Sequence, residues 1–165
     1  MIAGRASPRY VGPQDMRKAK RIYLDVCCLN RPFDDQSQDR VRLESEAVLT
    51  VLTQIQRQEY ELVSSDTLET ELDQNPDIER RHKVRDILRL ASYHTHVGVG
   101  ESVRARELGR HGLGAYDAAH LACAESAGAD LLLTTDDAFV NKVRKANATK
   151  VRVCNPLQWI AEGDG

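Results

Sequence analysis

Short runs rich in apolar residues alternate with helical periodicity along these 165 residues, and that alternation constrains the fold more than any other feature. The runs span Arg21 to Cys27, Tyr60 to Ser64, His94 to Val99, Leu131 to Thr134 and Lys150 to Cys154. Asp39 to Arg57 reads as a long amphipathic helix, with Leu43, Ala47, Leu49, Val51, Leu52 and Ile55 approximating its inward stripe. Ser65 or Asp66 caps a short helix through Leu72, which Asn75-Pro76-Asp77 ends; another runs from Ile78 to Ala91. Glu101 to Leu108, Tyr116 to Ala127 (closed by Gly128) and Asp136 to Ala146 complete the helical segments, and Pro156 opens a short last helix. Asn30 to Asp35 reads as a loop, because Pro32 holds Arg31 extended. Strand–helix alternation implies a parallel sheet covered on both faces, a single three-layer α/β/α sandwich. Right-handed crossovers then bring every strand's carboxyl end to one side, where ligand sites form in such sheets.

The length suits one domain, able to bury about 70% of the surface of its unfolded chain. Residues 1–20 read as a loose tail with Gly4, Pro8, Gly12 and Pro13, and residues 21–165 as the domain. The net charge of −2 argues neither for nor against a nucleic-acid partner. Local basic stretches at Met16 to Arg21, Arg80 to Arg89 and Lys142 to Arg152 would suit phosphates, and equally suit solvated helix faces. The four cysteines, Cys27, Cys28, Cys123 and Cys154, form no CxxC pair. Cys27 and Cys28 adjoin on a strand-like stretch, where neighbours face opposite ways, so joint zinc binding is not expected. They read as reduced thiols of a cytoplasmic protein. The first residues lack the apolar core of a secretory signal, and no run approaches the length needed to span a membrane.

Four acids stand at strand ends or in helix first turns: Asp25, Glu71, Asp117 and Asp136. Gathered at one edge they could not all remain ionised and unpaired, because like charges raise one another's pKa. A hard divalent cation, Mg²⁺ or Mn²⁺, relieves that conflict and takes oxygen ligands. This donor set points to metal-assisted phosphodiester hydrolysis. Each acid also has a plainer reading. Asp25 could simply end its strand at solvent, and Asp117 could complement a helix dipole. One of Asp136 and Asp137 is expected to cap the following helix; Asp136, nearer the strand, is the better ligand. Asp66 to Glu69 fits the spacing of a capping box, which leaves Glu71, beside the buried Leu68 and Leu72, free for a site. His120 shares a helix face with Asp117 and is expected to be packed or hydrogen-bonded. No His-x-x-x-His, GxGxxG, P-loop or GxSxG pattern occurs.

In order along the chain, these motifs resemble the PIN-domain nucleases. Tyr23-Leu24-Asp25-Val26-Cys27-Cys28-Leu29-Asn30-Arg31-Pro32 is similar to that family's opening strand. Leu62-Val63-Ser64-Ser65 followed by Glu71-Leu72 is similar to its second strand and helix-borne Glu, and Asp117-Ala118-Ala119-His120-Leu121-Ala122 to its central Asp helix. Leu132-Leu133-Thr134-Thr135-Asp136-Asp137-Ala138-Phe139 resembles its Thr-x-Asp-x-x-Phe segment. The resemblance spans Ile22 to about Pro156. It implies an α/β/α sandwich that cleaves RNA with Mg²⁺ or Mn²⁺. Asp25, Glu71, Asp117 and Asp136 are then catalytic, with Asp25, Asp117 and Asp136 on the metal. It also implies kinship with the VapC-like toxins of type II toxin–antitoxin pairs, hence a small antitoxin partner and a homodimer. Asn30, Arg31, Thr134 and Asp137 are expected to support the acids or touch substrate, although Asn30 has no firm counterpart in the family motif. Cys27 stands where the family often carries a small hydroxyl residue. Arg31, Lys142 and Arg144 are expected on the rim that holds the RNA backbone. The alternative reading is a catalytically silent PIN-like module that acts through protein or RNA contacts. A phosphoacceptor receiver, which also gathers Asp residues at strand ends, ranks below both, because it needs a lone Asp on a middle strand with a Lys downstream.

Overall fold

The computed structural model describes residues 19–163, so all but the last two residues of the expected tail lie outside the described residues. Five parallel strands form one sheet in the order β3-β2-β1-β4-β5, with β1 at Lys20–Leu24, β2 at Tyr60–Ser65, β3 at Tyr93–Thr95, β4 at Leu131–Leu133 and β5 at Arg152–Cys154. Eight α-helices join and cover them: α1 (Val26–Asn30), α2 (Asp39–Gln56), α3 (Asp66–Asp73), α4 (Ile78–Leu88), α5 (Val99–Gly109), α6 (Ala115–Ser126), α7 (Asp137–Ala146) and α8 (Pro156–Glu162). This is the expected α/β/α sandwich.

Register assigns the two faces. Ile22 pairs with Leu62 and Tyr23 with Val63. Side chains alternate along a strand, so Lys20, Ile22, Tyr60 and Leu62 share one face, where the Tyr60 ring lies 6.5 Å from Trp159 of α8. Tyr23 and Ser65 share the other face with α6, whose His120 meets the Tyr23 hydroxyl. The central strands are apolar throughout because both faces are covered. Leu131, Leu132 and Leu133 are at most 1% exposed, and each such side chain contributes about 1.5–3 kcal/mol by leaving water. Gly128 at φ +64° turns the chain from α6 towards β4, a left-handed conformation that an L side chain adopts poorly.

Several local expectations are corrected. The first strand stops at Leu24 rather than Cys27, because Asp25 caps a short helix there. The expected loop from Asn30 to Asp35 begins as the end of α1 and continues as a 3₁₀ turn over Arg31–Phe33, with Pro32 at a position that suits its fixed φ. Leu43 and Leu49 on α2 are exposed; the inward face is instead Glu44, Ala47, Val48, Val51, Leu52 and Ile55. The buried Glu44 breaks the apolar stripe, so hydrophobicity alone pointed to the wrong side at those turns.

Candidate active site at the carboxyl edge of the sheet

Asp25 follows β1, and its backbone N–H continues the ladder by donating to Leu133 O at 3.2 Å. It is 6% exposed. Its Oδ1 accepts from Cys28 N at 3.1 Å and lies 2.8 Å from Cys27 Sγ. That sulfur is 3.4 Å from the Thr134 hydroxyl and accepts from Thr135 N at 3.3 Å. Cys27 and Cys28 therefore stand in the first turn of a helix, not on opposite faces of a strand. They and Asp25 bring ligand atoms within 4.8 Å of one another. The thiol of Cys27 supplies the contact to Asp25 that a hydroxyl would otherwise make. Burial pushes the Asp25 carboxyl well above the usual carboxylate range.

Asp136 arrives from the neighbouring strand. It is the N-cap of α7: its Oδ1 accepts from Ala138 N at 2.9 Å and Phe139 N at 3.3 Å. Its own N–H donates to Thr134 Oγ1 at 3.1 Å, so Thr134 links the Asp25 and Asp136 segments. Asp137 is instead tied down by Arg40, which donates to both its oxygens at 2.9 and 2.8 Å.

Asp117 is the third residue of α6, behind the N-cap Gly114. Its carboxyl is raised, first by burial and then by the charge of Asp136, with Glu71 adding to the effect and His120 and Lys142 opposing it. The pattern of couplings gathers Asp117, Asp136 and Glu71 in one electrostatic neighbourhood. Tyr23, whose hydroxyl is held high by burial, feels both Asp25 and Glu71, which ties the first acid to the same region.

Glu71 is held by a buried chain. His120 Nε2 lies 2.5 Å from Glu71 Oε2, His120 Nδ1 lies 2.7 Å from Tyr23 Oη, and Tyr23 Oη lies 2.7 Å from Ser65 Oγ. Ser65 Oγ also accepts from Leu68 N at 3.1 Å as the N-cap of α3. One proton arrangement satisfies every member: Ser65 donates to Tyr23, Tyr23 to Nδ1, and Nε2–H to the Glu71 carboxylate. Ser65, not Asp66, is thus the helix cap, and the expected Asp66–Glu69 box does not form; Glu69 faces Arg85 at 3.4 Å. The sequence did show His120 three residues after Asp117, but nothing in it paired that ring with a strand tyrosine.

Arg31 donates to Glu44 at 3.2 Å and to Asp34 at 3.1 Å, and Arg40 reaches Glu44 at 2.5 Å. Glu44 is fully buried between these two guanidinium groups. Asn30 donates to Val26 O at 2.9 Å, and its buried Oδ1 has no protein partner. Lys142 and Arg144 lie exposed on α7. A surface depression lined by Arg104, Glu125, Asp130 and Lys150 precedes β4 and β5 and so sits at the opposite edge of the sheet.

Carboxylates from β1, α3, α6 and the β4–α7 junction, two of them carrying raised pKa values, fit a hard divalent cation in donor type and in charge. Oxygen atoms of Asp25, Asp117, Asp136 and Glu71 are the groups that could hold it. A doubly covered parallel sheet with acids at its carboxyl edge defines an α/β protein whose site lies where ligand sites form in such sheets. The PIN domain model matches residues 22–145, and the chain belongs to that family. PIN domains are generally Mg²⁺- or Mn²⁺-dependent nucleases. The chain is also similar to a protein of known structure, "Crystal structure of PAE2754 from Pyrobaculum aerophilum", at 18% identity over 82% of this chain and 84% of that one, with a TM-score of 0.49. No curated protein matches it. None of the described helices is long and apolar enough to cross a membrane.

Proposed function

We propose that this protein is an endoribonuclease in which Asp25, Glu71, Asp117 and Asp136 are the catalytic carboxylates. Asp25, Asp117 and Asp136 bind the metal, Mg²⁺ or Mn²⁺, directly. The observation that carries this reading is the arrival of acids from separate elements at the carboxyl edge of one sheet, with Asp117 sharing its surroundings with Asp136 and Glu71. Such an ion, when bound, polarises a phosphodiester and lowers the pKa of an attacking water. The chain's own residues do the rest. Cys27 and Thr134 aim Asp25; the cap bonds of Asp136 occupy Oδ1 and leave Oδ2 for a ligand. His120 fixes Glu71 from behind. Asp117, half-buried, has its carboxyl raised first by burial and then by the charge of Asp136, which a bound cation would offset. Lys142 lies near enough to offset the charge of Asp117, and with Arg31 and Arg144 it forms the basic rim proposed for the RNA backbone.

The proposed setting is the cytoplasm, as the toxin of a toxin–antitoxin pair, with a small antitoxin as partner and a homodimer as the assembly. Induced expression of the wild type is expected to arrest growth, and expression of Asp25→Ala is not. In vitro, purified protein with Mn²⁺ is expected to cut a mixed RNA pool, and Asp117→Asn to abolish the cut. Equal degradation by both proteins would trace the activity to contamination. Absence of cleavage together with absence of Mn²⁺-dependent thermal stabilisation would instead favour a silent binding module.

A further inference from the structure

Away from the four acids, a second group of ligating side chains converges. Asp66 opens α3, His94 lies in β3 and His96 follows it, and their ligand atoms all fall within 4.8 Å of one another. Asp66 Oδ1 is 2.7 Å from His94 Nε2 and 3.4 Å from His96 Nδ1. Two further polar atoms of the group are already engaged. Asp66 Oδ2 accepts from Val97 N at 2.9 Å, and His94 Nδ1 lies 3.1 Å from Ser64 Oγ. In the tautomer whose Nδ1–H donates to Ser64, the Nε2 lone pair is open to a cation; in the other, Nε2–H donates to Asp66 and Nδ1 accepts from the Ser64 hydroxyl. A cation that selects the first tautomer would meet both imidazoles and the carboxylate at one point. The two imidazoles meet edge to face with centroids 4.7 Å apart, and the His96 side chain is 84% exposed, which leaves an open approach from solvent.

We propose that Asp66 Oδ1, His94 Nε2 and His96 Nδ1 form a transition-metal site, distinct in chemistry from the carboxylate edge. Two imidazoles and one carboxylate suit Zn²⁺ or Co²⁺, whereas Mg²⁺ and Mn²⁺ prefer all-oxygen donors. Tetrahedral ligands about 2.0–2.1 Å from zinc stand roughly 3.3 Å apart. The Asp66–His96 spacing already has that value, and the Asp66–His94 contact needs to open by about 0.6 Å, within reach of side-chain rotation. Val97 N–H and the Ser64 hydroxyl hold the ligands from behind, as partners of metal ligands commonly do. Three protein ligands leave one position for water or an anion. The site would clip the end of β3 to the start of α3, the helix that carries Glu71. It stands independently of the nuclease reading.

The test uses the full-length protein, freed of metal and titrated with Co²⁺ and Zn²⁺, each with and without excess Mg²⁺ as a competitor for all-oxygen sites. Visible absorption should show one equivalent of tetrahedral Co²⁺ without thiolate-to-cobalt charge transfer, and Zn²⁺ should raise the melting temperature by several degrees. His96→Ala should weaken Zn²⁺ binding by about tenfold or more, while its metal-free melting temperature stays at the wild-type value because the side chain is exposed. His94→Ala should bind as weakly. Unchanged Zn²⁺ affinity in His96→Ala overturns the proposal. So does a thiolate charge-transfer band, which would assign the ion to Cys27 and Cys28, or failure of micromolar Zn²⁺ to bind the wild type.

Discussion

Replacing Asp25 with Asn should raise stability while it destroys metal binding. Asp25 is buried, and burial holds its carboxyl well above the range of an exposed aspartate. An acid weakened by folding has this sign: the folded state is not penalised below the unfolded pKa, and stability falls as pH rises from there through the folded pKa. At neutral pH the metal-free wild type therefore carries a penalty that is absent in acid. Each factor of ten by which folding weakens the acid costs about 1.4 kcal/mol, or roughly 3–6 °C in melting temperature for a chain of this size. Asparagine removes that cost. It also keeps the cap, since its Oδ1 can accept from Cys28 N as Asp25 does at 3.1 Å, and Asn and Asp cap about equally well. Thermal unfolding in EDTA, from about pH 4 to pH 8, should show Asp25→Asn pulling ahead of the wild type as pH rises, with the two curves converging in acid. Mn²⁺ should then reverse the order at neutral pH by stabilising only the wild type. A variant less stable than the wild type at neutral pH, or a difference independent of pH, would falsify the claim that this carboxylate is held at a cost.

Three further substitutions probe the supports. Tyr23→Phe deletes one hydroxyl and leaves both Ser65 Oγ and His120 Nδ1 short of a partner in the core; calorimetry should show a loss of about 1–3 kcal/mol. Glu44→Gln strips the buried charge shared by Arg31 and Arg40; denaturant titration should register about 3 kcal/mol or less, the low end for a broken buried pair, because the guanidiniums keep Asp34 and Asp137. Cys27→Ala removes the thiol beside Asp25 and should lower Mn²⁺ affinity or RNA cleavage by about 10–100-fold, whereas Cys27→Ser should restore most of it.

The architecture was legible because burial on both faces of a parallel sheet writes itself into sequence as short apolar runs such as Leu131 to Leu133, separated by helical periods. Asp25 and Asp136 could be placed at one edge for the same reason: Asp25 directly follows β1, Asp136 comes three residues after the end of β4, and parallel strands end together. Glu71 and Asp117 were nameable as candidates, but their positions on helices gave no distance to the strand acids.

What the sequence alone determined is the order of strands and helices and which acids follow a strand. Both depend on residues close together in the chain, where propensity and periodicity act. The tertiary structure decided the pairings that join distant segments: Tyr23 with His120, Arg40 with Asp137, Asp66 with His94 and His96. It also decided that Glu44, on a stripe that otherwise reads as apolar, goes inside, because two arginines meet it there and supply the countercharge that burial demands. Such choices depend on atoms brought together only when the sheet is assembled, and no local pattern of residues encodes them.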